Sequence, residues 1–129
     1  MSRYLLDTDT LIDFSKAIEP VTTRILAWID STDVVAVCAI SVAEFYSGLR
    51  VGEADKAERL VNSLPYIDIS RTAAERAGRD RHALARRGFT ITTTDALLAA
   101  AAREYHATLV TSNVRDFPMD DVSVMSIRA

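Results

Sequence analysis

A short apolar run that leads directly into acidic residues constrains the fold most. Residues 4–6 (Tyr-Leu-Leu) are followed at once by Asp7. A strand that is apolar at every position is typical of a parallel sheet with both faces covered. Asp7 would then lie at the carboxyl end of that strand, the edge where open α/β sheets bind ligands. From this stretch alone, turn or capping roles explain Asp7 and Asp9 equally well, and Thr8 or Asp9 is expected to cap the next helix.

The rest of the chain alternates apolar runs with helical patterns. Further strands are predicted at residues 34–40, 66–69, 108–111 and 122–125. Helices are predicted after Asp7 and at residues 20–30, 41–52, 53–64, 70–87 and 96–105. This alternation predicts a single α/β domain over residues 1–129, with a mainly parallel sheet of about five strands and helices on both faces.

Capping residues predict where these helices begin and end. Ser41 precedes Glu44 by three residues, a capping-box spacing that gives Glu44 a purely structural explanation. Gly52 is expected to end that helix. Ser70 is expected to start the longest helix, and Gly88 to end it.

Composition excludes several classes of protein. The chain has 129 residues, 49% of them hydrophobic, which is enough to bury the core of one domain and excludes disorder. The single Cys38 lies in an apolar run and is expected to be a buried thiol, while His82 and His106 are expected at the surface, so zinc is not indicated. No leader-like or membrane-spanning run is visible, so we expect a cytoplasmic protein.

Four acids occupy comparable places in this pattern. Asp7, Glu44 and Asp116 each follow a predicted strand, and Asp95 opens an alanine-rich helix. Parallel strands deliver their carboxyl ends to one edge of the sheet, so the acids could converge there. Carboxylates gathered in this way repel one another unless a cation lies between them. Their hard oxygen atoms favour Mg²⁺ or Mn²⁺.

Four segments resemble the motifs of PIN domains and, more narrowly, those of VapC toxins from toxin–antitoxin pairs. They are LLDTD at residues 5–9, ISVAE at 40–44, DALLAA at 95–100 and VTSNVRDF at 110–117. The resemblance covers nearly the whole chain, with the motifs in order. It implies a metal-dependent endoribonuclease that cleaves cellular RNA and is held inactive by a cognate antitoxin.

The resemblance also implies which residues form the site. It makes Asp7, Glu44, Asp95 and Asp116 both the catalytic residues and the ligands of Mg²⁺ or Mn²⁺. Asp116 is preferred as the fourth acid because the nearby Asn113 is neutral.

Three neighbours are predicted to support the site. Thr111 matches a hydroxyl at the edge of the family's site, and Asn113 could orient a ligand. The family commonly has Asn where this chain has Asp9. Asp9 could therefore add a ligand or alter the metal affinity, although a helix cap is the preferred interpretation.

Arginines are the candidates for holding RNA. They make up 13 of the 15 basic residues, and their guanidinium groups fork onto phosphate. Arg81 and Arg86 on the long helix, and Arg115 beside Asp116, are favoured. The expected substrate is single-stranded or loop RNA, because an A-form duplex hides its base edges.

A small VapB-like antitoxin and a second copy of the chain are the partners that the resemblance implies. We expect a homodimer and a toxin–antitoxin hetero-oligomer, with a basic antitoxin side chain near Asp7 and Asp95. An amphipathic antitoxin helix would need an apolar groove. The residues predicted to offer that groove are Phe14, Ile18, Trp28, Leu60 and Val61, although ordinary core positions are the preferred interpretation for most of them.

Two other functions are compatible with the sequence. Asp7 and Asp9 imitate the nucleophile motif of haloacid-dehalogenase-like phosphatases, but Leu11 departs from that motif. The phosphate-binding lysine of that family is also missing, since only Lys16 and Lys56 are present. A non-catalytic domain that binds RNA or a partner is the other alternative.

Overall fold

The computed structural model describes residues 1–128, which form one parallel sheet covered by helices on both faces. The strands are β1 (Arg3–Leu6), β2 (Val34–Cys38), β3 (Tyr66–Ile67), β4 (Thr108–Val110) and β5 (Val124–Met125). Their order is β3-β2-β1-β4-β5, and every neighbouring pair is parallel. The predicted fold class is confirmed.

Six α-helices connect the strands. They are α1 (Thr8–Ser15), α2 (Val21–Asp30), α3 (Ala39–Ser47), α4 (Ala54–Asn62), α5 (Arg71–Arg86) and α6 (Thr93–Glu104). A short 3₁₀ turn, Val114–Asp116, follows β4. No helix within residues 1–128 is both long enough and apolar enough to cross a membrane.

The sheet separates two cores because successive strand residues point to opposite faces. Leu6, Val37 and Val110 pack with helices α1 to α4 on one face. Leu5 and Leu109 pack against α6 on the other face, and α5 lies over α6. Cys38 is fully buried, as predicted. All of these strands therefore end at one well-supported edge.

The start and end of α3 differ from the prediction. The backbone at Cys38 is extended, and α3 begins directly after it at Ala39. Ser41 therefore lies inside the first turn and is not the N-cap; its hydroxyl donates to the Cys38 carbonyl at 3.3 Å and accepts the Cys38 backbone N–H at 3.4 Å. The predicted capping box with Glu44 is wrong. The helix ends at Gly48, and Gly52 forms a later turn with a positive φ of 91°.

The predicted ends of the long helix α5 are confirmed. The Ser70 hydroxyl accepts a hydrogen bond from the backbone N–H of Ala73 at 3.0 Å. Gly88 comes directly after the C-cap Arg87 and has a φ of 83°, a left-handed conformation in which glycine has no steric cost. Both histidines, His82 and His106, are exposed, as predicted.

Candidate active site

Asp7 lies where β1 ends and α1 begins, and it is 9% exposed. One carboxylate oxygen accepts the backbone N–H of Thr8 at 2.7 Å, and the other accepts the Thr111 hydroxyl at 2.8 Å. Asp7 itself is thus the N-cap of α1, and the prediction that Thr8 or Asp9 caps this helix is wrong. Since its side chain lies between the ends of two adjacent strands, it is fixed at the centre of the carboxyl edge.

Asp95 reaches the same edge from α6. Thr92 caps that helix, and its hydroxyl accepts the backbone N–H of Asp95 at 3.1 Å. The alanines of α6 are buried, which lets the helix lie close to the sheet. Asp95 is half-buried in the first helical turn, so its carboxylate lies where the helix dipole favours a negative charge.

Glu44 and Asp116 lie at the rim of this edge, and both are exposed. The Glu44 carboxylate accepts the Thr8 hydroxyl at 2.5 Å, which ties α3 to the start of α1. Asp116 ends the 3₁₀ turn, and its backbone N–H donates to the Asn113 carbonyl at 3.0 Å. The two outer acids therefore have more freedom than the two inner ones.

Burial and nearby negative charge raise the pKa values of the two inner acids, Asp7 and Asp95. Burial is the main cause that raises the pKa of Asp7, and the nearby Asp9 and Asp95 raise it further, against hydrogen bonds from Thr111 and Thr8. Burial also raises the pKa of Asp95, with added repulsion from Asp116 and Glu44. The structure thus brings the four predicted acids, together with Asp9, to one strongly negative edge.

The donor set of this edge fits a hard divalent cation. Every candidate ligand is a carboxylate oxygen, the type of donor that Mg²⁺ and Mn²⁺ prefer. A cation would also relieve the repulsion that raises the two pKa values. Among residues 1–128, no three Asp, Glu, His or Cys side chains stand close enough to hold an ion as they are placed. The exposed Glu44 and Asp116 are the side chains with room to close around one.

Asp9 occupies a position that the sequence did not reveal. Its Oδ2 atom accepts the backbone N–H of Ser112 at 3.0 Å, the Ser112 hydroxyl, and the side-chain N–H of Asn113 at 3.4 Å. The interpretation of Asp9 as a helix cap is therefore wrong. Ser112 was missed altogether, because the sequence does not show that the loop after β4 lies beside the start of α1.

The predicted RNA-binding arginines differ in their surroundings. The Nε of Arg81 donates to the Ile91 carbonyl at 2.9 Å, which holds the connection between α5 and α6. Arg86 and Arg115 are exposed. Two other arginines, Arg76 of α5 and Arg103 of α6, instead form ion pairs with Asp80 and Asp121. Some of the arginines thus stabilise the fold through contacts within the chain.

A further charged pair lies on α1, next to the acidic edge. The Arg128 guanidinium contacts both carboxylate oxygens of Asp13, at 2.7 and 3.3 Å. Asp13 raises the pKa of Arg128 mainly through this hydrogen bond, and the charge of Asp9 adds to the effect. The pair ties the end of the chain to α1.

An apolar cleft of about 600 Å³ lies between α1, α3 and α4. Phe14 and Leu60 line it, as predicted, together with Phe45, and both lysines of the chain lie on its wall. The other three predicted residues do not line it. Val61 belongs to the core, Trp28 stacks on Tyr4 with ring centroids 3.8 Å apart, and Ile18 is exposed elsewhere.

Comparison with known proteins gives one family and several related folds. The family model described as PIN domain matches residues 4–122. A chain of VapBC2 from Rickettsia felis, bound to a DNA fragment from their promoter, is 24% identical with a TM-score of 0.85, covering 96% of this chain and 98% of that one. A chain of DNA-bound VapBC from Salmonella typhimurium is 22% identical with a TM-score of 0.83, covering 99% and 100%.

A more distant fold match carries a stated activity. VapC20 from Mycobacterium tuberculosis, a sarcin-ricin loop cleaving toxin, is 13% identical with a TM-score of 0.58, covering 81% of this chain and 85% of that one. No curated protein matches the chain by sequence.

Proposed function

The chain belongs to the PIN-domain family, and from this premise we propose that it is a metal-dependent endoribonuclease of the VapC toxin type. The convergence of Asp7, Glu44, Asp95 and Asp116 on one sheet edge carries the proposal. The related fold of a toxin that cleaves the sarcin-ricin loop supports RNA as the substrate.

The four acids would hold Mg²⁺ or Mn²⁺. Such an ion, when bound, neutralises phosphate charge and makes water a better nucleophile. Asp7 is the most rigid of the proposed ligands, because Thr8 and Thr111 fix both of its oxygens. The Thr8 hydroxyl orients Glu44 as well, so Thr8 links two of the four acids.

The acidic edge requires that the RNA backbone be held from outside it. Arg86 and Arg115 are exposed and can bind phosphates, whereas Arg81 has one N–H occupied by Ile91. Attack by water in line with the leaving oxygen would give a 5′-phosphate and a 3′-hydroxyl. A single-stranded loop fits this arrangement best, because its bases are open to contact.

A small VapB-like antitoxin is the proposed regulator. The matched folds come from VapBC assemblies, in which toxin and antitoxin are together. The cleft lined by Phe14, Phe45 and Leu60 suits the apolar face of an amphipathic helix. A basic side chain of the antitoxin near Asp7 and Asp95 would replace the charge of the metal. A homodimer and a cytoplasmic location are part of the proposal.

The two alternative functions have less support. In the phosphatase, the second acid of the motif must be free to exchange protons, but Oδ2 of Asp9 already accepts bonds from Ser112 and Asn113. A non-catalytic domain would not need a buried Asp7 and a half-buried Asp95 beside further acids, an arrangement that is unfavourable without a cation.

Incubation of the purified chain with total RNA tests the proposed function. Cleavage is expected with Mg²⁺ or Mn²⁺ and is expected to stop with a chelator. Asp95→Asn should abolish cleavage. Asp30→Asn is the matched control, since Asp30 is exposed at the end of α2 and precedes β2, at the opposite edge of the sheet. Cleavage that persists in chelator or in Asp95→Asn would overturn the proposal.

A further inference from the structure

The loop that follows β4 is held by a single carboxylate from another part of the chain. Three donors of this loop converge on Oδ2 of Asp9: the Ser112 backbone N–H, the Ser112 hydroxyl and the Asn113 side chain. Asp9 lies 103 positions earlier in the sequence than Ser112. The Thr10 hydroxyl, at 3.3 Å, contacts the other oxygen. The loop is therefore bonded to α1 and not only to its own strand.

Hydrogen bonds continue from these contacts to the fourth acid. The Asn113 backbone N–H donates to the Thr111 hydroxyl at 3.1 Å, and the Asn113 carbonyl accepts the Asp116 N–H at 3.0 Å. The position of Asn113 thus sets the position of Asp116. The Asp116 carboxylate in turn affects the pKa of Asp95, so the loop determines part of the site's electrostatics.

Packing alone does not hold the middle of this loop. Thr111 is fully buried and Phe117 is 5% exposed, so the two ends are anchored. Between them, Val114, Arg115 and Asp116 are exposed. Few apolar contacts and exposed backbone are the features of a segment that opens locally. The bonds to Asp9 supply the missing constraint.

We propose that Asp9 is a positioning residue, which holds the 112–116 loop so that Asp116 faces Asp95. The inference rests on the proposed function for the role of Asp116 and deepens it. Asp9 is not the cap of α1, since Asp7 has that place, and its Oδ2 accepts all three donors of the loop. Asn in its place keeps one acceptor oxygen for the loop, whereas Ala keeps none.

Hydrogen exchange in chelator, combined with cleavage kinetics, tests this role. The variants are Asp9→Ala, Asp9→Asn and, as a matched control, Asp13→Ala. Asp13 is a buried acid of the same helix, and its hydrogen bonds go to Arg128 and not to the loop. The exchange rates of the Ser112 and Asp116 backbone amides report the loop in the metal-free protein.

Asp9→Ala is expected to speed exchange at both amides and to lower kcat by about 10–100-fold, the usual loss when a supporting hydrogen-bond partner of a ligand is removed. KM should change less, because the arginines proposed to hold RNA are untouched. Asp9→Asn should restore both values to near those of the original chain. Asp13→Ala should lower the Tm without changing loop exchange or kcat.

Two results would overturn the inference. An unchanged kcat or unchanged loop exchange in Asp9→Ala would show that Asp9 positions nothing needed for catalysis. An Asp9→Asn variant with protected amides and lost activity would make Asp9 a ligand. If the original chain cleaves no RNA, the proposed function fails, while the exchange difference between Asp9→Ala and Asp13→Ala still decides whether Asp9 holds the loop.

Discussion

The buried hydroxyl of Thr111 donates a hydrogen bond of 2.8 Å to Oδ2 of Asp7. It joins the ends of β4 and β1, since the Asp7 backbone N–H also donates to the Val110 carbonyl at 3.0 Å. The bond orients a carboxylate that burial would otherwise drive towards protonation. Thr111 thus holds the central acid in place and favours its ionised form.

Replacing Thr111 with valine should show how much its hydrogen bond to Asp7 contributes to the free energy of unfolding. Thr111→Val keeps the shape but leaves a buried oxygen of Asp7 unpaired, at a cost of about 1–3 kcal/mol in the free energy of unfolding. The pKa of Asp7 should rise further, because the bond lowers it. Urea unfolding measures the loss, and Thr111→Ser should restore stability. Equal stability of the valine variant and the original chain would contradict the prediction.

The raised pKa values of Asp7 and Asp95 predict how stability depends on pH. Between the unfolded value, about 3.9, and the raised folded value, the folded state binds more protons than the unfolded one. The metal-free chain should therefore lose stability as the pH rises through this window. The Asp95→Asn variant has no ionisable group at this position, so its free energy of unfolding should fall less over the same pH range. Urea unfolding in chelator at several pH values checks this prediction. If the free energy of unfolding fell with pH by the same slope in both chains, the prediction would be wrong.

Loss of the carboxylate of Asp7, Glu44 or Asp95 should remove metal binding. Asp7→Asn, Glu44→Gln and Asp95→Asn keep the side-chain shape but remove the charge, so each should abolish cleavage without unfolding the chain. A ligand at one hundred times its Kd stabilises the folded state by about 2.7 kcal/mol. Mn²⁺ should accordingly raise the Tm of the original chain and of the Asp30→Asn variant. The Tm of the Asp7→Asn variant should rise much less. A Tm that does not respond to millimolar Mn²⁺ would count against the metal site.

Asp116→Asn is expected to slow cleavage more than Asn113→Ala. Asp116 contributes a charge that Asp95 senses. The Asn113 side chain contributes a single bond of 3.4 Å to Asp9, and the backbone bonds of this residue remain in the alanine variant. Single-turnover cleavage rates of the two variants decide the matter. The reverse order would mean that the Asn113 side chain, and not Asp116, completes the site.

The cleft between α1, α3 and α4 should bind the antitoxin. Leu60→Glu places a charge on its apolar wall and should weaken the complex, as measured by co-purification with the product of the neighbouring reading frame. Leu26→Glu is the control, because Leu26 is 47% exposed on α2 and does not line the cleft. Equal recovery of antitoxin with both variants would place the interface elsewhere.

The sequence predicted the fold well because its signals are local. Buried parallel strands are apolar throughout, and Ser70 and Gly88 act on backbone groups within their own turns. The acidic edge followed from the same logic, since parallel strands all end on one side. The boundary at Cys38 was missed because the helical pattern does not reveal how early an extended strand can turn into a helix.

What the sequence could not reveal depends on contacts between distant residues. Asp9 and Ser112 are 103 positions apart, and Asp13 and Arg128 are 115 apart. Their partners follow from the strand order, in which β1 lies between β2 and β4. That order is set by tertiary packing and not by any local pattern. Residue type alone therefore made Asp9 resemble a cap.

The pairing of β1 with β4 has a consequence for a chain that emerges from the ribosome. Asp7 meets Thr111 across 104 positions, so the carboxyl edge is incomplete until nearly the whole domain has been synthesised. A nascent chain interrupted before β4 lacks the partner strand of β1, the tether of Asp7 and the loop that bears Asp116. The acidic edge can therefore assemble only after residues 108–116 have been synthesised, although the strand that bears Asp7 is made first.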